Sequence, residues 1–412
     1  MRKLLQKLLL VGAVALIAFG ANAHIVTKCW ENTTNIPGVS NGGDFRFASV
    51  KDGKIIVTDY ANKKIMAIDD NGMTELFDLT EAINTHYGVE DGEEETKAAW
   101  GITVDDAGNI LVGTGSPNAA SSTDMIIISA DLQKTYKLQI TLPKAINGIN
   151  GNRIDQYGKI VGNMLSSEGA YFWLAITAQQ NVAIIKIANG EQVQDYSIAS
   201  SKVKVAMNSS TLAQPALWNV AEIDALVEGG KASKSFWTRN RGSAQNMYGW
   251  NETGDEQVIL YLTETTDDGL TTKGAGAEGF ATFSIAGVTY FVVPMSNDGA
   301  SRSNIIGVYD ESGKLCATYV PEVVEVGMGQ MGSIIVEPCE EYSVNIYRFI
   351  PGVVAYKFNF YDVASGIERV EIEENEEAEY YNLQGVKVDV KNAQSGVYVK
   401  KQGSRTSKVF VK

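Results

Sequence analysis

The chain has 412 residues, of which 44% are hydrophobic and 20% charged, with 40 glycines and 8 prolines. This length is too great for one ordinary compact core, unless the core is a closed ring of repeated units. The net charge of −14 argues against nucleic acid and anionic membrane surfaces as partners, because both favour basic patches.

Residues 1–23 have the features of a secretory signal peptide. A 12-residue apolar stretch (Leu8–Phe19) follows three cations and precedes Ala21-Asn22-Ala23, an A-x-A cleavage site before His24. Removal of Arg2, Lys3 and Lys7 with this leader would lower the net charge from −14 to −17. We therefore predict an exported protein with no transmembrane segment; an uncleaved N-terminal anchor is the alternative.

Cysteine usage is sparse and odd in number. Cys29, Cys316 and Cys339 do not form a disulfide framework, although an exported protein could hold a bridge. We expect three free thiols.

A β-hairpin with a tight polar turn recurs along the chain. It is clearest in Gly101–Gly115 (GITVDDAGNILVGTG) and also present in Ala48–Tyr60 and Gly151–Asn163, with looser copies in Gly279–Pro294 and Gly332–Ile350. Asp and Asn accept hydrogen bonds from the backbone in such turns, and glycine supplies the positive φ. Recurrence about every fifty residues indicates an array of similar units.

The apolar runs within these units do not alternate with polar residues. Ile55–Val57, Ile110–Val112 and Ile126–Ile128 are continuous, as expected for strands covered on both faces. Four-stranded antiparallel units buried on both faces are typical of a β-propeller. We predict an all-β fold in which residues 24–361 form a six-bladed propeller and Ile25–Trp30 completes the last blade. Seven blades are the alternative, if residues 170–266 contain two units.

Two acidic stretches interrupt or follow the array. Residues 80–98 form an acidic insertion, predicted to be a surface loop with a short helical turn. Residues 362–379 include six glutamates between Glu371 and Glu379 and are predicted to be a solvated linker. Residues 380–412 are strand-like again and rich in lysine.

The last segment contains three ordered motifs: YYNLQGVKV (Tyr380–Val388), SGVYVKK (Ser395–Lys401) and the terminal KVFVK (Lys408–Lys412). It resembles the C-terminal sorting domain of the type IX (Por) secretion system of Bacteroidetes. The resemblance implies a small β-sandwich-like module recognised by outer-membrane secretion machinery, and a location at the cell surface or outside the cell. The resemblance is shorter than a full sorting domain, so a vestigial tail on a periplasmic protein is the alternative. The implied motif residues are Tyr381, Asn382, Leu383, Gly385, Gly396, Tyr398, Lys408 and Lys412.

The propeller segment is similar to secreted NHL-type propellers of the same bacteria. This weaker likeness rests on the predicted architecture and on the W-E-x-T sequence at Trp30–Thr33.

Catalytic and metal-binding patterns are scarce. His24 and His86 are the two histidines, so a histidine-dependent triad and a zinc site with several histidines are not expected. Acidic pairs at Asp69-Asp70, Asp105-Asp106 and Asp267-Asp268 fall where hairpin turns are expected, and they lack the spacing of a calcium loop. We predict no catalytic residue and no cofactor. A calcium ion in the central channel, bound by residues of several blades, is the alternative.

Two sets of residues are candidates for ligand binding. Five residues precede the innermost strands and would lie on one rim: Arg46, Trp100, Arg153, Glu278 and Gln330. A second set lies in the least regular unit: Trp237, Arg239, Arg241, Tyr248 and Trp250. Arginine binds carboxylates through two hydrogen bonds and indole stacks on sugar faces, so a glycan or protein ligand is the hypothesis. Packing between blades and ion pairing are the simpler interpretation.

The leading functional hypothesis is a non-catalytic binding or scaffold propeller at the cell surface. The alternative is a propeller hydrolase or lyase that acts on a carbohydrate or lactone through rim arginines and carboxylates, for which paired carboxylates would be needed.

Overall fold

The structure is a computed structural model. It describes residues 24–36, 39–40, 43–44, 48–60, 62–88, 99, 101–114, 118–119, 122–141, 152–153, 156–176, 181–193, 219–222, 227–228, 231–232, 236–239, 246–250, 256–262, 270, 279–295, 304–321, 333–340, 342–362, 368–369, 379–393, 396–402 and 405–411. Several positions discussed above lie outside this part of the chain: residues 1–23, Arg46, Trp100, Arg241, Asp267-Asp268, Glu278, Gln330, linker residues 363–367 and 370–378, and Lys412.

The chain begins with β1 (His24–Asn32) and a small hairpin of β2 (Val39–Ser40) and β3 (Gly43–Asp44). Blade 1 contains β4 (Ala48–Lys51), β5 (Lys54–Asp59), β6 (Lys64–Asp69) and β7 (Gly72–Asp78), and helix α1 (Thr80–Tyr87) follows it. Blade 2 contains β8 (Ile102–Val104), β9 (Ile110–Gly113), β11 (Ser122–Ile128) and β12 (Thr135–Thr141). Two short strands, β10 (Asn118–Ala119) and β13 (Asn152–Arg153), pair with each other.

Blade 3 contains β14 (Gln156–Gly162), β15 (Ala170–Ile176), β16 (Asn181–Ala188) and β17 (Glu191–Gln192). Blade 4 contains β18 (Asn219–Glu222), β21 (Phe236–Arg239), β22 (Asn246–Trp250) and β23 (Glu256–Tyr261), with a hairpin of β19 (Val227–Glu228) and β20 (Lys231–Ala232) after its first strand. Blade 5 contains β24 (Ala281–Ile285), β25 (Val288–Pro294), β26 (Ile306–Asp310) and β27 (Leu315–Tyr319). Blade 6 contains β28 (Ser333–Glu340), β29 (Ser343–Ile350), β30 (Val354–Asp362) and β1.

These antiparallel sheets form a β-propeller, and the described strands account for six blades. The innermost strands of blades 1, 2, 3 and 4 contact one another in order, those of blades 5 and 6 do the same, and β28 of the last blade contacts β4 of the first. In a seven-bladed ring, residues 170–266 would have to hold two units. Among the described residues this region contributes the last three strands of blade 3, one further four-stranded sheet and the small β19–β20 hairpin. Strand β22 was not anticipated from the sequence.

The first strand closes the ring, as predicted. β1 pairs with β30 from His24 opposite Asp362 to Asn32 opposite Ala355. At its start, His24 Nε2 lies 3.0 Å from the Tyr290 hydroxyl, which donates to Asp362 Oδ2 at 2.9 Å. The imidazole also stacks on Phe360 at 5.6 Å. Burial, together with the hydrogen bond to Asp362, raises the pKa of Tyr290. The joint therefore ties the closing strand to both blade 6 and blade 5.

The hydrophobic core lies between neighbouring blades. Ile126 and Ile128 pack towards blade 1, whereas Ile127 between them packs towards blade 3. In blade 6, Tyr347 and Phe349 face blade 1, and Ile346 faces blade 5. Continuous apolar runs arise because both faces of each sheet are buried.

The propeller has two rims with different chemistry. We define the upper rim as the end at which the chain enters each innermost strand; the lower rim carries the turns between first and second and between third and fourth strands of each blade. Because neighbouring strands are antiparallel, the turns at Asp69–Gly72, Asp105–Asn109 and Asp310–Lys314 all lie on the lower rim. Arg153, in β13, precedes the innermost strand β14 on the upper rim.

The Asp105–Asn109 turn is also a joint between blades. Asp105 is 5% exposed, and its Oδ1 accepts the N–H groups of Ala107 and Asn109 within the turn. Its Oδ2 accepts the Met164 N–H of blade 3 at 2.9 Å and the Asn109 side-chain amide. On the other side, Lys51 of blade 1 donates to the Gly108 carbonyl. The turn therefore links three consecutive blades.

Helix α1 lies in the predicted acidic insertion, where a short helical turn was expected, and it packs against blades 1 and 2. Its Ala82 and Ile83 are buried in the core between these blades. Tyr87 donates its hydroxyl to the Met125 carbonyl, and Lys137 lies over its ring. His86 Nε2 lies 2.9 Å from the Thr135 hydroxyl. These contacts fix the helix against blade 2.

The tail forms a separate five-stranded sheet among the described residues. The strands are β31 (Glu368–Arg369), β32 (Glu379–Tyr381), β33 (Lys387–Val388), β34 (Gly396–Gln402) and β35 (Arg405–Val411). Their order in the sheet is β31-β35-β34-β32-β33, with β31 parallel to β35 and the other pairs antiparallel. A 3₁₀ turn (Val390–Asn392) follows β33. Lys408 Nζ lies 5.8 Å from the ring centre of Tyr361 in blade 6, a contact that joins the tail to the propeller.

We predict that Asp105→Asn destabilises the mature chain by about 2–4 kcal/mol. With the new amide nitrogen in the place of Oδ2, its N–H would face the Met164 N–H, and neither of these two donors would have an acceptor. Asp310→Asn is the matched control. Asp310 makes the same turn through Oδ1 alone, so a loss under about 1 kcal/mol is expected. Thermal unfolding followed by circular dichroism compares the two; equal losses would contradict the joint between blades.

Candidate functional site

The upper rim is extended by short strands in its loops. The β2–β3 hairpin precedes the first innermost strand, and β13 precedes the third. Arg153 in β13 is the register partner of Asn118 in β10, so the backbone holds two upper-rim loops together where the sequence placed a candidate ligand residue. Arg46 and Trp100, which occupy matching positions in sequence, lie outside the described residues. The binding role of all three stays a prediction.

Tyr157 is an upper-rim residue that the sequence reasoning missed. Its ring, at the start of blade 3, fills the space that Gly101 and Gly113 leave open in blade 2. A Cβ on Gly101 would lie 2.9 Å from the Tyr157 ring, and one on Gly113 would overlap the Tyr157 hydroxyl. The ring also packs edge-on against Phe172 at 5.3 Å. The two glycines at the ends of the Gly101–Gly115 hairpin are the signal that could have revealed it.

The described members of the second candidate set are spread along β21 and β22 of blade 4. Arg239 pairs with Met247 at the upper end of β21, whereas Trp250 pairs with Phe236 at the lower end. Three residues of strand separate the two pairs, about 10 Å. Tyr248, in β22, pairs with Thr238. The backbone therefore places Arg239 nearer the upper rim and Trp250 nearer the lower rim.

Trp237, the remaining described member of that set, packs between blades. Its indole meets Phe291 of blade 5 edge-on, with ring centres 4.8 Å apart, and covers Gly249. This geometry accounts for the tryptophan by core packing, the simpler interpretation given above.

The acidic residues of the lower rim are engaged in turns. The ammonium of Lys54, 2.7 Å away, and then the Asn71 N–H hold the pKa of Asp69 below its ordinary value. Burial works to raise the pKa of Asp310, but hydrogen bonds from Ser312 and Lys314 outweigh it and lower the pKa. Within the part of the chain that the structure describes, no three His, Cys, Asp or Glu side chains are grouped as a metal site.

All three cysteines are free thiols, as expected. Cys29 and Cys339 are exposed. Burial, with the nearby charge of Asp310, raises the pKa of Cys316 to about 12. This thiol is therefore protonated, and a poor nucleophile, at neutral pH.

An open cleft of about 430 Å³ lies where β7 meets α1. Its lining comes from this one segment: Asp78, Thr80, Glu81, Asn84 and Thr85. The Asp78 carboxylate accepts the Thr80 N–H at 2.8 Å, so one side of this cleft is already engaged in a local hydrogen bond.

The three motifs of the tail lie on adjacent strands. Tyr381 of β32 is opposite Val399 of β34, and Tyr398 of β34 is opposite Val409 of β35, next to Lys408. Gly396 pairs with Val411 at the end of the same ladder. Motifs separated in sequence thus lie on neighbouring strands, with Tyr381 and Lys408 on one face of the sheet and Gly396 and Tyr398 on the other.

The turn of the first motif is held by polar contacts. Asn382 and Gly385 form the turn between β32 and β33, with a Gly385 φ of 79°. Next to it, the Lys387 ammonium and then the Tyr381 hydroxyl donate to Glu379 and lower its pKa. Asn382, Gly385 and Tyr381 therefore have structural roles in the tail.

None of the helices described has the length and apolarity that crossing a membrane requires.

No protein-family model matches the chain, and no curated protein matches it either. Among solved structures, it is similar to a DUF4623 family protein from Bacteroides eggerthii, with 11% identity over 82% of this chain and 77% of that one and a TM-score of 0.50. It also matches virginiamycin B lyase from Staphylococcus aureus, with 15% identity, 81% and 99% coverage and a TM-score of 0.39. A third match is the aldose sugar dehydrogenase of Streptomyces coelicolor in its PQQ-bound form, with 10% identity, 83% and 100% coverage and a TM-score of 0.39. The first of these likenesses concerns the fold, and none carries an activity over to this chain.

We predict that Gly113→Ala destabilises the protein by about 1–3 kcal/mol, because the added methyl group forces Tyr157 out of its place. In the double variant Gly113→Ala/Tyr157→Ala the clash is gone, so the two losses should be less than additive by at least about 0.5 kcal/mol. Thermal unfolding of the four proteins of this cycle measures the coupling. Strict additivity would mean that Tyr157 does not occupy the glycine space.

Proposed function

We propose that the chain is an exported, non-catalytic binding propeller and that its C-terminal tail directs it to the cell surface. The tail carries the proposal: it has its own sheet outside the blades, and the three sorting-like motifs are neighbours on that sheet. A module recognised by outer-membrane secretion machinery needs such an independent surface. The proposed Bacteroidetes origin rests on the sequence resemblance of the tail, and the signal peptide on the pattern of residues 1–23.

The non-catalytic part of the proposal is supported by the state of the described carboxylates. Asp105 accepts four hydrogen bonds and Asp310 three, all within turns or joints. Asp362 is bound by Tyr290 and His24. A hydrolase or lyase would need carboxylates available to a substrate, and these three are committed to structure.

The binding part of the proposal places the ligand on the upper rim. The loops of this rim contain the extra strands β2, β3, β10 and β13, and functional residues are concentrated on loops held by a rigid scaffold. Arg46, Trp100 and Arg153 come from these loops or border them. Their chemistry suits a glycan or another carboxylate-bearing ligand.

We predict that deletion of residues 380–412 abolishes surface exposure and leaves the propeller folded, because the blades share no strand with the tail sheet. Cell fractionation with protease accessibility of intact cells measures the location, and thermal unfolding of the purified truncated chain checks the fold. Unchanged surface exposure of the truncated chain would contradict a sorting role.

We also predict that the mature chain, residues 24–412, binds an acidic glycan in an array of immobilised glycans. Arg46→Ala/Trp100→Ala/Arg153→Ala should weaken that binding at least about tenfold, the loss expected when several central contacts are removed. Lys54→Ala, which removes a cation from the lower rim, is the matched control and should bind normally. No array signal, or equal signals from the triple variant and the wild type, would contradict the upper-rim site.

A further inference from the structure

The turn of the first tail motif, Asn382–Val386, is fully organised before any partner binds; we call it the tail turn. Asn382 Oδ1 accepts the N–H groups of Gln384 at 3.0 Å and Val386 at 2.9 Å. Two backbone bonds complete it, from Gly385 N to the Asn382 carbonyl and from Asn382 N to the Val386 carbonyl. A preorganised surface loses little entropy when it binds.

The propeller contains the same turn twice, at Asp105–Asn109 and Asp310–Lys314. In each, the first residue accepts the N–H groups of the third and fifth residues through its side chain, and the same two backbone bonds are present. The fourth residue is a glycine with positive φ in all three turns. These shared bonds use the side chain of the first residue and the backbone of the fourth, and they do not involve the side chains at the second and fifth positions.

The second and fifth residues of the turn differ between the propeller and the tail. They are polar in both propeller turns: Asp106 and Asn109 in one, Glu311 and Lys314 in the other. In the tail turn they are Leu383 and Val386, which are 51% and 58% exposed. The described chain has two other exposed large hydrophobic residues, Tyr261 and Val320, and both lie in the propeller. Two exposed apolar residues on one rigid turn, at positions that are polar elsewhere, are not explained by the turn itself.

Charge restricts the kind of partner that can cover them. Residues 380–412 carry six lysines, one arginine and one aspartate, for a net charge of +6, whereas residues 24–379 have a net charge of −23. Two exposed lysines lie close to the tail turn in sequence: Lys391, and Lys387, which is paired with Glu379 at 2.6 Å. Opposite charges attract a partner and orient it, so a partner of the tail should carry carboxylates.

The tail turn also lies at the free side of its sheet. The contact with the propeller uses Lys408 on β35, which has β31 on its outer side. The tail turn connects β32 to β33, and β33 is the opposite edge strand. A tail docked on blade 6 therefore still presents Leu383 and Val386.

We propose that Leu383 and Val386 are the anchor residues by which the tail docks into an apolar pocket, bordered by carboxylates, of a partner protein in the export pathway. This inference rests on the proposed sorting function and names the part of the tail that is recognised. The flanking lysines orient the tail turn over the pocket, and Asn382 and Gly385 act as positioning residues.

The test is export of the full chain in its native host. The double variant Leu383→Ser/Val386→Ser, which we call the serine pair, should lower the surface-exposed fraction of the protein at least about tenfold, the effect expected of central anchors. Its melting temperature should be unchanged. Leu383→Ile/Val386→Ile, which keeps both side chains apolar, should export normally. Asn382→Asp should also export normally, because both propeller turns have an aspartate at this position that accepts the same two N–H groups. Tyr261→Ser/Val320→Ser, which removes two exposed apolar residues outside the tail, should export normally.

The carboxylates of the pocket are tested through Lys391. Lys391→Glu should reduce export and Lys391→Arg should not. If Lys391→Glu has no effect while the serine pair blocks export, the acidic border is wrong.

The outcomes separate this inference from the proposed function. If deletion of residues 380–412 blocks export but the serine pair does not, the tail is recognised elsewhere and the anchor is wrong. If the deletion has no effect, both proposals fail.

Two binding measurements on the purified mature chain exclude other occupants. Loss of binding to vesicles of phosphatidylglycerol and phosphatidylethanolamine in the serine pair would assign the tail turn to a lipid surface and overturn the protein partner. A concentration-dependent dimer in sedimentation experiments that the serine pair abolishes would assign it to a second copy of the chain. Equal behaviour of wild type and variant in both measurements, with export lost, supports the proposal.

Discussion

Closure of the ring is the constraint on which the other structural features depend. A four-stranded blade buries both faces only when it has a neighbour on each side, so an open array would leave two apolar faces in water. Here the first strand of the chain, β1, pairs with β30 and completes the last blade. The joint of His24 with Tyr290 and Asp362 fixes that strand at its first residue. The core between blades 6 and 1, which includes Tyr347 and Ala48, requires the last blade to lie beside the first.

The two rims differ in chemistry. Polar turns on the lower rim use their carboxylates to satisfy backbone N–H groups, and the Asp105 turn adds bonds to the blades on either side. The acidic pairs Asp69-Asp70 and Asp105-Asp106 belong to these turns, in which Asp69 and Asp105 accept backbone N–H groups. The loops of the upper rim contain the short strands β2, β3, β10 and β13, and Tyr157 there packs against two glycines of the neighbouring blade. Both rims therefore contribute contacts that join the blades.

Much of this fold could be predicted because it follows from local pattern. Continuous apolar runs such as Ile126–Ile128 indicated strands buried on both faces, and the polar turns indicated the hairpins. The features that were missed depend on residues distant in sequence. Strand β22 (NMYGW) contains Asn and Gly and has little apolar pattern of its own; it is stabilised by β21 and β23. The packing of Tyr157 on Gly113, and of Trp237 on Phe291, exists only across a boundary between blades. The tail motifs could be recognised as motifs, but Val386, which is as exposed as Leu383, lies outside the recognised set.

The opposite charges of the propeller and the tail raise the question of how an acidic partner could approach the tail at all. Three strand spacings separate β35, which contacts the propeller through Lys408, from β33 at the tail turn, a distance of about 14 Å. At physiological ionic strength charges are screened over about 8 Å. A partner at the tail turn therefore experiences the nearby lysines strongly and the propeller contact region weakly. The edge-to-edge arrangement of the sheet lets a cationic tail remain attached to an acidic propeller and still attract an acidic partner on its far side.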